Sequence, residues 1–356
     1  MEKTVTVSNR IVSLILALVM CFSMAACSAG GETQDDSSTP KEDTITVTDM
    51  MGREVDIPAD TKANTVASTY GVVTPFLVTL QISDRVEAAN FKNKSFIRMV
   101  DEVIVETGNI GTTMSLDAEA LAACAPDIYI CKISDTDKME VAKKLGIPAI
   151  TVSAEVPEEV MEAYELLGKV FGVEERAKAI TDYLNKELAE IDKLAATIPE
   201  DKKVTAMCMG SELGRIAGED MLQTMMIERV GGKSVVDGVV GDRYWVDVGV
   251  EDVFSRDPEY LFITSSGVLE YGVDDLYADK AWSGMKAIKN DRVYKIPARI
   301  DSWDMPGPGF VLGMYYMMHC MYPDVMTAEM MQEKVDSYYT FLYGKTFTGD
   351  EIGYSF

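Results

Sequence analysis

The 356-residue chain holds one histidine, three tryptophans and six cysteines, and its 33 lysines and arginines face 58 aspartates and glutamates. Each scarcity closes off a class of function. At a formal charge of −25 there is no basic surface to displace counterions from phosphates, so nucleic acid is excluded as a partner. A lone histidine, His319, leaves little for acid–base chemistry at neutral pH. It lies in an apolar helical stretch and reads as a core or helix-face residue, so binding of a bare transition metal is not expected. No CxxC pair, GxSxG elbow, phosphate-binding glycine loop or HExxH helix occurs. The chain is therefore expected not to be an enzyme, and to carry no cofactor or resident metal. Cys124, Cys131, Cys208 and Cys320 sit in apolar stretches and read as buried thiols, with a Cys124–Cys131 disulfide as the alternative.

What is present begins with an address. Lys3 and Arg10 precede an apolar run over residues 11–20, followed by Ser23, Ala25, Ala26 and Cys27. This is the pattern of a secretory signal, too short for a comfortable membrane span. Residues 24–27, Met-Ala-Ala-Cys, resemble a bacterial lipobox with Met24 in the place of the usual leucine. Cleavage before Cys27 and its acylation would anchor the chain to a membrane. An ordinary cleaved signal is the alternative. Residues 28–43 are Gly, Ser, Thr, Asp and Glu around a single proline, which suits a tether.

The body alternates short apolar strands with helical patterns, which predicts parallel sheets. A strand pair is expected at 44–55, and single strands at 65–68, 103–106, 127–131, 149–152, 204–209, 260–264 and 292–296. Helices are expected at 74–81, 116–124 (opening at Ser115), 137–145, 220–230, 251–255 and 309–322. Between them, 157–198 carries no strand signal and reads as a long helical connection interrupted near Gly172. The expected organisation is a signal peptide at 1–26, an anchor and tether at 27–43, an N-terminal α/β lobe at 44–156, a connecting helix at 157–198 and a C-terminal α/β lobe at 199–356. Two Rossmann-like lobes joined in this way leave a cleft between them.

Five segments carry a resemblance to a known family. They are TDMMGREVDIP, GNIGTTMSLDAEALAACAPDIYI, LGIPAITV, GVEDVFSRDPEYLFI and WSGMKAIKNDRVYKIP. In this order the chain resembles the class III periplasmic-type binding proteins of ABC importers, which take up iron–siderophores, haem, vitamin B12 and metal oxyanions. The resemblance implies a monomer that hands a small anionic or macrocyclic ligand to a permease dimer from the outer face of the bacterial cytoplasmic membrane. It also implies that Glu119 and Glu251, one acid per lobe at a helix start, meet arginines of the transporter. Complementing a helix dipole is the plainer role for both.

The ligand site is expected in loops at the carboxyl ends of strands. Tyr70, Arg215, Arg243, Tyr244, Trp245, Arg299, Trp303 and Asp304 are the candidates. Arginine forks hold oxyanions, and aromatic rings pack on flat ligands. Trp245 and Trp303 could equally be core residues. The mixture favours an iron(III) complex, with a corrinoid, haem, molybdate or tungstate as alternatives. From another class, a surface-anchored hydrolase or carbohydrate-binding lipoprotein is the rival reading. Three tryptophans are few for a sugar cleft.

Overall fold

The computed structural model describes residues 43–91, 94–242, 244–264 and 269–353. The signal, Cys27 and nearly all of the tether lie outside these residues, as does Arg243. In chain order the N-terminal lobe runs β1 (Thr44–Thr48), β2 (Glu54–Pro58), β3 (Val66–Ser68), α1 (Thr74–Thr79), β4 (Val86–Ala89), α2 (Lys94–Val100), β5 (Gly111–Thr112), β6 (Ser115–Leu116), α3 (Ala118–Cys124), β7 (Ile128–Lys132), α4 (Thr136–Lys144) and β8 (Ala149–Val152). Two helices follow, α5 (Pro157–Phe171) and α6 (Glu174–Ala195). The C-terminal part comprises β9 (Thr205–Met209), β10 (Arg215–Ile216), α7 (Leu222–Arg229), β11 (Lys233–Ser234), β12 (Val246–Asp247), α8 (Val250–Arg256), β13 (Tyr260–Ile263), α9 (Val273–Ala278), α10 (Lys286–Lys289), β14 (Val293–Lys295), α11 (Phe310–Met321), α12 (Ala328–Tyr343) and α13 (Gly349–Ile352).

The first lobe is built on an all-parallel sheet ordered β4-β3-β7-β8. The second has a parallel centre in which β9 pairs with β11 and β13, and β13 with β14, while β10 and β12 run antiparallel at one side. Strands β3, β8 and β13 are buried at every position, as helix-covered parallel strands must be. The architecture is the expected α/β pair of lobes.

Three local expectations are corrected. Residues 104–106 form a 3₁₀ turn instead of a strand, because the Asp101 carboxylate accepts from the backbone N–H of Val103 and Ile104 and winds the chain there. Helix α3 opens at Asp117, whose carboxylate caps Glu119 and Ala120 N–H at 3.0 Å, and Ser115 pairs in a small hairpin instead. All four cysteines in the body are free, so Cys124 and Cys131 do not pair.

The connection at 157–198 is two helices. Proline at its first turn starts α5, and Gly172 ends it at φ +62 in the left-handed region, where a Cβ would also meet Thr61 Oγ1 at 2.6 Å. Helix α5 belongs to the first lobe. Tyr164 packs on Phe76 with ring centroids 4.6 Å apart, and Asn64 Nδ2 donates to the Val170 carbonyl at 3.1 Å. Helix α6 alone passes between the lobes. At its start Arg176 donates to the carbonyls of Thr79, Phe341 and Leu342. Near its end Asp192 pairs with Arg229 of α7 at 2.8 Å. Midway, buried Glu187 accepts from Tyr315 of α11 and pairs with Lys334 of α12, each at 2.8 Å.

Helix α12, which no sequence signal above marked, closes the other side. It is capped by Thr327 and stops at Gly344, φ +64. Its aromatic residues surround Phe96 of the first lobe: Tyr339 at 6.1 Å and Tyr343 at 5.2 Å, with Phe347 at 6.1 Å just beyond. One continuous apolar core therefore includes residues of both sheets, α5, α6, α11 and α12.

Asp301 sits at this seam. Its carboxylate accepts from the Tyr338 hydroxyl at 3.2 Å, and burial pushes its pKa up to about 7 from 3.8. Folding thus raises this pKa, so the folded state binds the proton more tightly than the unfolded chain. Stability falls as pH rises from 3.8 to about 7 and is level above that. Asp301→Asn, which keeps an acceptor for Tyr338 without the charge, is expected to raise the melting temperature at pH 8 more than at pH 5. The gain at pH 8 should be on the order of a few kcal/mol. Equal shifts in thermal unfolding at the two pH values would contradict it.

Candidate functional site

A cavity of about 190 Å³ lies between the lobes. From the first lobe it is lined by Tyr70, Val72, Thr113, Lys132 and Glu155; from the second by Met221, Leu222, Gln223, Tyr244, Trp245, Met305 and Pro306. The chain topology explains this list. Tyr70 follows the carboxyl end of β3, Lys132 ends β7, and Glu155 follows β8 at the start of α5. Ligands of open parallel sheets bind at that edge. Gln223 lies in the first turn of α7, and Met305 and Pro306 on the loop before α11.

Several contacts hold these side chains in place. The backbone N–H of Tyr70 donates to Ser68 Oγ at 3.0 Å. Asn90 Nδ2 donates to both the Thr69 carbonyl and Thr113 Oγ1, and Lys138 Nζ to the Thr113 carbonyl, which pins the β5–β6 hairpin over the cavity. The Trp245 ring lies on Gly210, where a Cβ would meet its Cε3 at 2.9 Å, so the end of β9 needs glycine for the ring to approach. Past Thr113, Lys132 and Tyr244 a more open groove of about 590 Å³ continues outward.

Lys132 Nζ pairs with Glu155 Oε1 at 3.0 Å and lies 5.3 Å from the centre of the Tyr244 ring. Burial alone would lower the lysine's pKa, but the Glu155 carboxylate and Tyr244 outweigh it and the net shift is upward. The lysine therefore stays charged through the neutral range. Burial raises the Tyr70 pKa, and the charge of Glu155 adds to it, then those of Glu159 and Asp135. This tyrosine remains a neutral phenol.

Of the expected site residues, Tyr70, Tyr244 and Trp245 converge on the cavity and four others are placed elsewhere. Trp303 is fully buried in the core, its Nε1 donating to Tyr339 Oη at 3.0 Å. Asp304 is equally buried and accepts from Thr264 Oγ1 at 2.6 Å. The Pro/Gly-constrained loop that carries them turns them inward and presents Met305 and Pro306 to the cavity instead. Arg215 is engaged by Glu212 at 2.6 Å and Asp247 at 3.6 Å, outside the cavity lining. Arg299 is exposed and donates to the Asp350 carbonyl at 2.6 Å, against α13. Arg243 lies outside the described residues.

Lys132, Glu155, Thr113 and Gln223 were not anticipated. The signal available was position: Lys132 closes an apolar strand, and Glu155 comes three residues after another. Glu119 and Glu251 are both exposed in first helical turns, of α3 and α8, and neither pairs with a base among the described residues. His319 Nδ1 lies 2.7 Å from the Met326 carbonyl. Among the described residues no group of three or more His, Cys, Asp or Glu is placed to hold a metal ion.

A cleft between two α/β lobes, lined from both and framed by strand ends, suits a small solute. Residues 66–300 match the periplasmic binding protein family, and the chain belongs to it. It is accordingly a non-enzymatic solute binder. The molybdate-binding protein MolA of Haemophilus influenzae is 21% identical over 333 residues, 85% of this chain and 92% of that protein. Its molybdate-bound structure superposes with a TM-score of 0.75 at 18% identity, covering 85% of this chain and 99% of MolA. The Fe(3+)-citrate-binding protein YfmC of Bacillus subtilis is 21% identical over 314 residues, 84% and 92% of the two chains. A periplasmic solute-binding protein of Veillonella parvula superposes with a TM-score of 0.75 at 23% identity, covering 87% and 96%.

If the cavity holds the solute, its two tryptophan candidates separate. Trp245→Ala should weaken binding of whichever probe binds, iron(III) citrate or molybdate, by about tenfold or more, since an aromatic contact is lost. Trp303→Phe should lower the melting temperature and leave affinity unchanged. Calorimetric titration and thermal unfolding of both variants check this; a reversed pattern would contradict the placement.

Proposed function

We propose that the protein captures an iron(III) complex in the inter-lobe cleft, while tethered through acylated Cys27, and delivers it to an ABC permease dimer. The observation that carries this reading is the cavity itself, with aromatic rings Tyr70, Tyr244 and Trp245 beside the Lys132–Glu155 pair. Rings suit the organic face of a chelate, and an ammonium suits its oxygens. The inner volume, about 190 Å³, is small beside the roughly 300–1,000 Å³ of drug-sized sites and favours a compact complex over a macrocycle. Molybdate is the second reading, favoured by the likeness to the Haemophilus influenzae protein.

Glu119 and Glu251 are the proposed contacts with the permease. They are exposed, one in each lobe, and neither pairs with a base among the described residues, so they are available to arginines of a partner. No helix among the described residues is long and apolar enough to cross a membrane, which leaves anchoring to the segment around Cys27. Replacing both glutamates by alanine is expected to abolish uptake of labelled iron by the host while solute affinity stays within about twofold of wild type. A matching loss of affinity would place them in the cleft instead.

A further inference from the structure

Two polar groups beside the cavity make no well-formed hydrogen bond among the described residues: Gln223 Oε1, and the Tyr70 hydroxyl, which has the Glu155 carboxylate beside it. Both residues are almost wholly buried, at 3% and 4% exposure, and they come from opposite lobes onto the same cavity. Buried polar groups are nearly always bonded, and leaving one unpaired is costly. Gln223 cannot relieve this by turning its amide over. Its Nε2 donates to the Asp304 carbonyl at 2.8 Å, and a carbonyl can only accept. Asp304 is in turn held by Thr264. Oε1 is therefore the end left over, and it can bond only to an N–H or O–H. On the facing lobe, Lys132 and Glu155 place an ammonium and a carboxylate together.

We infer that Tyr70 and Gln223 select the solute: Gln223 accepts a hydrogen bond from an N–H or O–H of the ligand, and Tyr70 bonds an oxygen at its other end. The cleft then takes a hydroxyl- or amide-bearing organic ligand, free or as a metal chelate, and discriminates against a bare oxyanion. This rests on the cleft being the solute site. A fully ionised tetrahedral oxyanion offers acceptors only. It would leave Gln223 Oε1 unpaired and bring a second anion beside Glu155. A site built to bond a donor rejects an analogue that lacks it far more strongly than an apolar pocket does.

The test is calorimetric titration of the full mature chain with three probes: iron(III) citrate, a ferric trihydroxamate with free amide N–H groups, and molybdate. Wild type should bind at least one of the two chelates more tightly than molybdate. Tyr70→Phe and Gln223→Met should each weaken that binding by about tenfold and change molybdate binding by less than about threefold. In the ligand-free protein, Tyr70→Phe should leave the melting temperature unchanged or higher, because the buried hydroxyl it removes makes no well-formed bond and lies beside the Glu155 carboxylate. A purely structural hydroxyl would lower it. Tightest binding of molybdate, or chelate affinity untouched in both variants, overturns the inference and leaves the solute-binding role standing. Binding of none of the three overturns the metal-complex reading, and the inference with it.

Discussion

Phe96 of the first lobe sits among Tyr339, Tyr343 and Phe347 from the end of the chain, and Arg176 of α6 bonds carbonyls of α1 and α12 on either side of the boundary. The rest of the structure depends on this junction. Two lobes joined only by a polypeptide link would be free to rock. Here both belong to one apolar core, and separating them would expose large aromatic rings to water. The cavity is the gap that remains where the sheets' carboxyl edges face each other above that core. Its dimensions are set by packing that lies outside it.

The charge of the molecule and the charge of the site turn out to be separate matters. A chain with a formal charge of −25 was expected to gather arginines in its cleft in order to hold an anion. Arg215 and Arg299 are instead tied to local acceptors outside the cavity, and one lysine, already paired with Glu155, lines it. Around Tyr70 the carboxylates of Glu155, Glu159 and Asp135 add to the effect of burial. Among the described residues, the cleft does not oppose the overall negative field. It holds a balanced pair and, in Gln223 Oε1, an acceptor with no partner among the described residues, which favours hydrogen-bonded recognition over simple charge attraction.

The lobes were legible because their strands are short apolar runs with helices between them, and because Gly146 and Gly172 punctuate helix ends. The cleft was legible as a place, since strand ends locate it. Its lining was less so. An arginine in a loop looks the same in sequence whether it faces a ligand or a neighbouring carboxylate, as Arg215 does. The inward turn of Trp303 and Asp304 depends on Thr264 and Tyr339, which are distant in the chain. Helix α12 had readable caps in Thr327 and Gly344, but nothing in its tyrosine spacing shows that its partner is Phe96, more than two hundred residues earlier.

The central claim is that a shared core holds the lobes in one relation, so that the solute enters a preformed cleft. Small-angle scattering of the protein with and without a saturating solute tests this most directly. The account predicts radii of gyration that agree within about 1 Å. A compaction of more than about 2 Å on binding would show that the lobes close as separate bodies and would contradict it.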